Sequence, residues 1–372
     1  MLCVVEALAA VPSAADSFSE NRSMKFIDST NFERLLKKLF GEGELFVPVR
    51  DEETQKLHIE RIEEFPLPER TALDGFRTVE TMKGFAQLLR STVAEYPSPD
   101  LDETDADEKI PTFIVVGARA CDVAAMELVD KVQVEGDFID PFYKIRRDKM
   151  IVVAADCTDC GQSCFCTLVG GKPWPEKGFD LAVSKVSGGY LLETGSERGE
   201  AIVADNADLF TEPRDGQEKM REETRQKVLK KVQEANRDYL PAERITAPLR
   251  EKISDEAWVS EVARCVECGA CTNICPTCYC FLLYDMTAGE EFRRVMAWDS
   301  CQVTGYARMA GMANPRPRLT DRVKHRYYHK YDYLPQSHGA VFCTGCGRCI
   351  DTCSAGIDMR KVFRSVLGAA AK

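Results

Sequence analysis

The sequence predicts an α+β protein, in which an N-terminal α/β domain (residues 24–210) precedes a C-terminal, mostly helical domain (residues 265–372). Three observations predict this arrangement. Apolar strand-like runs alternate with helical patterns in the first part of the chain, residues 216–264 carry Glu, Lys, Arg and Gln at helical spacing, and the densest cysteine runs follow residue 264. Residues 211–264 are therefore expected to form a helical connector.

The elements of the α/β domain follow from local patterns. A helix is predicted for NFERLLKKLF, and a strand pair for ELFVPVR and KLHIERI. A buried strand, a turn and a helix are expected in FIVVGARACDVAAMELVDKV, a second buried strand in MIVVAADC, and a hairpin turned at Gly188–Gly189 in FDLAVSKVSGGYLLETG. Beyond the connector, FLLYDMTAGEEFRRVMAW and LTDRVKHRYYHK predict helices.

The two most polar or irregular segments predict surface structure. Residues 1–23 are expected to be a disordered extension, because Met24 opens a natural start and Glu6 interrupts the apolar run that a signal peptide would need. The acidic segment 98–109 predicts a solvated loop. A formal charge of −11 argues against nonspecific nucleic-acid binding, and no apolar run approaches the ~20 residues that span a bilayer. A cytoplasmic protein is expected.

Seventeen cysteines in 372 residues need a chemical reason. In a reducing cytosol, clustered cysteines indicate metal ligands or redox thiols more often than disulfides, and the odd total disfavours complete pairing.

Two runs share the spacing C-x2-C-x2-C-x3-C, which is that of bacterial ferredoxins. Three thiolates two residues apart can wrap one face of a 4Fe–4S cluster, while the fourth cysteine ligates the other cluster. The first cluster is therefore assigned to Cys265, Cys268, Cys271 and Cys353. The second is assigned to Cys343, Cys346, Cys349 and Cys275. The predicted domain is thus a helical, ferredoxin-like dicluster domain.

Zinc is the alternative metal for such cysteines. Tetrahedral zinc sites typically use two CxxC pairs, so a third cysteine at the same spacing would be superfluous. Two identical runs in one chain favour iron–sulfur clusters.

A third group of cysteines follows the two buried strands, at turns that can meet at one sheet edge. Four thiolates there suffice for a further 4Fe–4S cluster: Cys121, Cys157, Cys164 and Cys166. Cys160 is a fifth candidate, and the alternative is a packed group of inert thiols. Cys278, Cys280 and Cys301 flank the first motif and are expected to line its cluster pocket, although metal ligation and simple core packing stay open.

Residues 316–330, RPRLTDRVKHRYYHK, are the basic, aromatic-rich stretch of an acidic protein. The favoured interpretation is a solvated helix face. The alternatives are a docking surface for a partner subunit, or positive charge that raises the potential of a cluster. No GxGxxG follows a strand, so no dinucleotide site is predicted in this chain.

The motifs together resemble a known family. The chain carries, in this order, GARACDVAAMELVDKV, VVAADCTDCGQSCFCT, CVECGACTNICPTCYCF, WDSCQVTGYARMAG and CTGCGRCIDTCSAGIDM. This series resembles the beta subunits of sulfhydrogenase-type nickel–iron hydrogenases and the A subunit of anaerobic sulfite reductase. This resemblance implies an electron-transfer subunit that links a flavin-containing, NAD(P)-binding subunit to a catalytic subunit. It also implies that Cys121, Cys157, Cys164 and Cys166 are ligands. Ser354 replaces a proline of the family, and Cys160 is an additional thiol.

Two rival functions remain at this point. The chain would be a reductase if a substrate were reduced at its own CFC cysteine group, or an interaction module if its cysteines bound zinc. Turnover by the isolated chain distinguishes the first from a relay, and metal analysis distinguishes the second.

Overall fold

The computed structural model describes residues 24–96, 110–251, 253, 255–289 and 291–370. The predicted extension (residues 1–23) and the whole of the predicted acidic loop (98–109) lie outside these ranges. The strands are β1 Met24–Asp28, β2 Glu44–Arg50, β3 Leu57–Arg61, β4 Arg90–Tyr96, β5 Phe113–Ala118, β6 Met150–Ala155, β7 Leu181–Val186, β8 Gly189–Thr194, β9 Phe281–Ala288 and β10 Glu291–Trp298.

The helices alternate with these strands in the first part of the chain and dominate after β8. They are α1 Ser29–Phe40, α2 Lys83–Ala86, α3 Ala120–Gln133, α4 Pro141–Asp148, α5 Glu197–Asp205, α6 Gln217–Asn236, α7 Glu243–Arg250, α8 Asp255–Val262, α9 Ala270–Asn273, α10 Leu319–Tyr328, α11 Leu334–His338, α12 Arg348–Asp351 and α13 Met359–Ala370. Short 3-10 turns span Cys166–Val169, Ala207–Leu209 and Ala310–Met312, and a π-helical turn spans His329–Tyr333.

A seven-stranded sheet organises the first part of the chain, in the order β1-β8-β7-β6-β5-β2-β3. Strands β2, β5, β6 and β7 are parallel neighbours, and the outer strands are antiparallel. Strand β5 is buried on both faces, because Ile114 and Val116 pack in the core with α1, whereas Phe113 and Val115 pack with α3 and α4. Such continuous apolar strands are typical of parallel sheets covered by helices. The predicted strands and the hairpin at Gly188–Gly189 are confirmed.

Strands β5 and β6 bring two cysteine turns together. They are parallel neighbours, so their carboxyl ends lie at the same edge of the sheet. Cys121 lies in the first turn of α3, directly after β5, and Cys157 follows β6. The first and second cysteine turns of the third group therefore meet where the sequence predicted.

The helix predicted for FLLYDMTAGEEFRRVMAW is wrong, since this segment forms the antiparallel hairpin β9–β10. Gly289 supplies the left-handed turn, with φ of +68°. A lone hairpin is marginally stable, but β4 pairs with the other edge of β10 and completes a three-stranded sheet. This sheet joins the first and last parts of the chain across the predicted division, so the domain boundaries at residues 210 and 264 stay predictions.

The C-terminal helices enclose a second core. Trp258 of α8, Tyr327 of α10, Tyr331 of the π turn and Phe363 of α13 are fully buried and pack together. The rings of Tyr327 and Tyr331 meet Phe363 edge-on, at centroid distances of 5.1 and 4.6 Å. None of the helices in the described ranges has the length and apolar character needed to cross a membrane.

Candidate metal centres

The two ferredoxin motifs fold into loops of the same shape. Each begins a short helix after a glycine with positive φ: Gly269 (φ +72°) before α9, and Gly347 (φ +74°) before α12. Two residues earlier, Glu267 and Gly345 also have positive φ, of 58° and 64°. The left-handed conformation disfavours a residue such as Glu267, whose carboxylate is held by Arg322 at 2.6 Å and Thr304 at 2.9 Å.

Cavity A is the space inside the first loop. Among its lining residues are the four cysteines assigned to the first cluster, Cys265, Cys268, Cys271 and Cys353. Cys353 belongs to the second motif but lies here with the first three cysteines of the other. The spacing predicts that each motif gives its fourth cysteine to the other motif's cluster, and the position of Cys353 agrees with this exchange. Iron binding by these residues stays a prediction.

Cavity B is the equivalent space inside the second loop. Its wall contains the four cysteines assigned to the second cluster, Cys275, Cys343, Cys346 and Cys349. Cys349, Arg326 and Met359 line cavity A as well, so the two spaces share a wall.

The cysteines surround these cavities and do not converge on a point. Within the described ranges, no three His, Cys, Asp or Glu side chains are placed to hold one metal ion. A zinc ion would need four ligands at about 2.0–2.3 Å. Thiols spread around a cavity fit a polynuclear cluster that fills it.

Two buried polar atoms at the cavities also fit a cluster. Arg326 Nε, in a side chain that lines both cavities, and Thr344 Oγ1, in a side chain that lines cavity B, are buried without a hydrogen-bond partner among the described residues. Buried polar atoms are almost always hydrogen-bonded in native proteins. The sulfur atoms of a cluster would accept these hydrogen bonds.

The basic stretch 316–330 is not a solvated face, so the favoured sequence interpretation is wrong. Arg322, Arg326 and Lys330 are 2%, 5% and 2% exposed. Arg326 donates to the carbonyl oxygen of Cys271 at 3.3 Å, and Lys330 donates to Thr277 Oγ1 at 2.6 Å. Arg326 and Lys330 therefore face the thiols, whereas Arg318 and Lys324 of the same stretch pair with Asp255.

The thiols and these cations stabilise each other's charged forms. Burial disfavours the ammonium of Lys330, but the thiols of Cys275 and Cys278 outweigh it and raise the pKa of Lys330 above its ordinary value. Burial raises the pKa of Cys349 to about 12, and the Arg326 guanidinium opposes this rise. Metal binding requires thiolates, so cations at this position assist it.

Cavity C lies at the edge of the large sheet, where β5 and β6 end. It is lined by all the cysteines of the third group, Cys121, Cys157, Cys160, Cys164 and Cys166. The structure thus brings the predicted ligands together but also includes Cys160, so the choice of four ligands stays open. Burial raises the pKa of Cys157 above its ordinary value and that of Cys166 to about 12.

Cavity C adjoins cavity B through backbone contacts. Cys346 lines both, and the backbone N–H of Phe165, between Cys164 and Cys166, donates to the carbonyl oxygen of Gly345 at 2.7 Å. Arg348 of the second motif forms a buried ion pair with Asp122, with N–O distances of 2.6 and 3.1 Å. The three cavities therefore lie in a row, A–B–C.

Sequence reasoning missed the residues that join the row. Arg77 lines cavity C and donates to the carbonyl oxygen of Cys346, and Arg348 pairs with Asp122. Asp122 follows Cys121 at the apolar start of a helix, and a carboxylate at such a position indicates a buried cationic partner. No nearby residue indicates that this partner is Arg348.

The three remaining cysteines differ from expectation. None of Cys278, Cys280 and Cys301 lines cavity A, B or C. Cys278 hydrogen-bonds Cys275 from outside cavity B, and Cys280 hydrogen-bonds Cys301.

Comparison with known proteins agrees with the geometry of the two loops. The family described as "4Fe-4S dicluster domain" matches residues 264–357, which contain both motifs. This domain implies two 4Fe–4S clusters. The chain is also 31% identical to "Sulfhydrogenase 2 subunit beta" of Pyrococcus furiosus over 344 residues, which are 91% of this chain and 97% of that protein.

Proposed function

The chain belongs to the family of sulfhydrogenase beta subunits, and we propose that it is an electron relay linking a flavin-containing, NAD(P)-binding subunit to a catalytic subunit of the hydrogenase or sulfite reductase type. The family and the dicluster domain identify it as an iron–sulfur, electron-transfer protein. The identity of the two partner subunits is the proposed part.

The row of cavities A, B and C is the observation that carries the proposal. Adjacent cavities share a cysteine of their walls, Cys349 between A and B and Cys346 between B and C. The proposal places a 4Fe–4S cluster in each, held in cavity C by Cys121, Cys157, Cys164 and Cys166. Such clusters supply reversible one-electron transfer. The chain's part is to hold them in line and exclude water between them.

Buried cations set the charge along this row. Arg326 lies between cavities A and B, Lys330 lines cavity B, and Arg77 lines cavity C. Since net charge and hydrogen bonds to sulfur tune the potential of a cluster, these side chains favour the reduced state. The charge interpretation of the basic stretch is thus retained as part of the proposal.

The two ends of the row reach the surface. Cys268 in cavity A is the exposed cysteine of the described ranges. At the other end, cavity C is bordered by Cys160 and by the Lys231–Asp159 pair, whose side chains are both more than half exposed. The two partner subunits are proposed to dock at these opposite ends.

A single substitution tests the relay in the native complex. Cys268→Ser is expected to lower the iron content and to stop electron flow from NAD(P)H to the terminal acceptor, while the control Cys3→Ser does neither. The isolated holoprotein with an artificial reductant should show bleaching of cluster absorbance without turnover of sulfite or protons. Unchanged iron content and electron flow in Cys268→Ser would refute the relay through cavity A.

A further inference from the structure

Cys280 and Cys301 form a pair of thiols outside the proposed relay. Their side chains hydrogen-bond each other, and the Tyr306 hydroxyl also donates to Cys280. The backbone N–H of Asp299 donates to the carbonyl oxygen of Cys280 at 2.9 Å, which fixes the two chain segments beside the open end of the β9–β10 hairpin. Cys301 is only 5% exposed, whereas Cys280 is partly accessible. The pair therefore has an outer and an inner sulfur.

Cys280 lines a fourth space, cavity D, of about 430 Å³. Its wall is mostly apolar and rich in aromatic side chains, which are Phe138, Phe142, Tyr143, Tyr279, Phe281 and Trp298. Cavities of this size and lining are typical of sites for small organic molecules. Cys280 is the one thiol among the described residues of this wall.

Three buried polar atoms around cavity D have no partner among the described residues. They are Gln87 Oε1, Ser91 Oγ and Trp298 Nε1, and all three side chains line the cavity. Leaving such an atom unpaired costs roughly 1–3 kcal/mol. One acceptor, one hydroxyl and one donor around a single apolar cavity indicate a ligand that carries complementary polar groups on an apolar body.

We propose that cavity D binds a small organic disulfide with an aromatic body, which the Cys280–Cys301 pair reduces with electrons from the cluster relay. This proposal rests on the proposed function, because the relay is the source of the electrons. It goes beyond that function by giving the chain a substrate site of its own, at a place other than the CFC cysteine group.

The chemistry balances as thiol–disulfide exchange. The Cys280 thiolate attacks one sulfur of the bound disulfide, the substrate S–S bond breaks, and the first thiol leaves. Cys301 then attacks Cys280 of the mixed disulfide, which releases the second thiol and forms a Cys280–Cys301 disulfide. Two electrons, delivered singly by reduced clusters, and two protons restore the two thiols, so the net reaction is RSSR + 2e⁻ + 2H⁺ → 2 RSH.

The surroundings of the pair fit these two roles. The hydrogen bond from Cys301 lowers the pKa of Cys280 to about 6, and the Tyr306 hydroxyl adds to this effect. The same hydrogen bond raises the pKa of Cys301 above its ordinary value, which keeps its proton on the inner sulfur. The outer thiol is the nucleophile, since reactivity requires the thiolate.

Backbone and side-chain contacts connect the wall of cavity D to cavity B. Cys278 hydrogen-bonds Cys275, which lines cavity B, and the carbonyl oxygen of Cys278 accepts from Lys83 Nζ at 3.2 Å. Lys83 Nζ in turn lies 3.7 Å from the centroid of the Trp298 ring, in the wall of cavity D. Cavity D is therefore one short chain segment away from the proposed second cluster.

The test uses the anaerobic holoprotein of wild type, Cys280→Ser and Cys301→Ser, with 2,2′-dithiodipyridine as the probe. With electrons supplied by reduced methyl viologen, wild type is expected to release thiopyridone continuously above the viologen background, and both variants at least tenfold more slowly. Mass spectrometry after trypsin digestion should find the probe trapped on Cys280 in Cys301→Ser. Oxidised glutathione, which is charged, is expected to react at least tenfold more slowly than the aromatic probe.

Iron content and cluster bleaching are measured on the same samples. Normal clusters with equal turnover in all three proteins would overturn this proposal and leave the relay intact. Loss of iron in Cys280→Ser or Cys301→Ser would identify these residues as metal ligands and would also overturn it. A wild-type holoprotein without reducible clusters would refute the relay as well.

Discussion

The backbone N–H of Phe165 donates a 2.7 Å hydrogen bond to the carbonyl oxygen of Gly345, and this contact joins the loop of the CFC cysteines to the second ferredoxin loop. Gly345 has a φ of +64°, and a Cβ built on it would lie 2.5 Å from the backbone nitrogen of Cys166. Only glycine allows both this conformation and this approach. Cavities B and C are neighbours because of it.

Gly345→Ala is expected to separate cavities B and C. The left-handed conformation alone costs a β-carbon roughly 1 kcal/mol, and the clash with the backbone of Cys166 adds to it. We predict loss of the iron held in cavities B and C, about eight of twelve irons per chain, measured by metal analysis of the anaerobic protein.

Gly339→Ala is the matched control for this substitution. Gly339 has a φ of +71°, but a Cβ there would meet no atom within 4 Å. The Gly339→Ala variant should be destabilised by the left-handed conformation alone and should keep its iron. Equal iron contents in the two variants would show that the contact between the loops does not support the clusters.

Arg326→Gln is expected to lower the reduction potentials of the clusters in cavities A and B. Removing a positive charge that lies beside both cavities disfavours the added electron, because the Coulomb attraction between the guanidinium and the reduced cluster is lost. The potentials, followed by EPR during redox titration, should fall by tens of millivolts.

The control for this charge change is Lys324→Gln on the same helix. Lys324 pairs with Asp255 at 3.3 Å and lines none of cavities A, B and C. Its removal should leave both potentials within error of wild type. A fall of equal size in the two variants would assign the effect to net charge and not to the position of Arg326.

Arg348→Met is expected to destabilise the contact between the large sheet and the second ferredoxin loop. The side chains of Arg348 and Asp122 are 1% and 3% exposed. Replacing Arg348 leaves the Asp122 carboxylate buried without its ion-pair partner. Breaking such a pair typically costs about 3–5 kcal/mol. The midpoint of thermal cluster loss, followed by visible absorbance, should fall clearly.

The double variant Asp122→Asn/Arg348→Met separates charge from packing. Because it leaves no uncompensated charge, it should recover part of the lost thermal midpoint. If Asp122→Asn lowers the thermal midpoint of Arg348→Met as much as it lowers that of the wild type, the two residues are not coupled.

Cys280 should react with iodoacetamide at a pH where ordinary thiols do not. Its pKa is about 6, so the thiolate is present above this pH and is lost as the pH falls through it. The alkylation rate of Cys280, quantified by mass spectrometry, is expected to reach half its maximum near pH 6. Tyr306→Phe removes one donor and should move this midpoint upward; a wild-type midpoint above pH 8 would contradict the thiolate assignment.

Local patterns predicted the elements that depend on local sequence. The apolar runs of β5 and β6, the amphipathic α1 and the Gly188–Gly189 turn each carry their own signal, and the spacing of the two cysteine motifs predicted which side chains line cavities A and B. These features need no information about distant residues.

The features that failed depend on residues far apart in the chain. The segment after residue 280 has residues that suit a helix, and it becomes a hairpin because β4 pairs with the edge of β10. The sequence predicts that Arg326 and Lys330 are exposed to solvent. They are buried instead, because the thiols of distant loops face them. Cavity D is likewise lined by residues of α4, β4 and β10, so no local sequence pattern predicts it.

The most direct measurement for the cluster relay is the iron and acid-labile sulfide content of the wild-type chain, purified without oxygen from a host that assembles clusters. Three occupied cavities predict about twelve irons and an equal amount of sulfide per chain. About eight of each would contradict a cluster in cavity C, and a zinc-containing or iron-free protein would contradict the relay altogether.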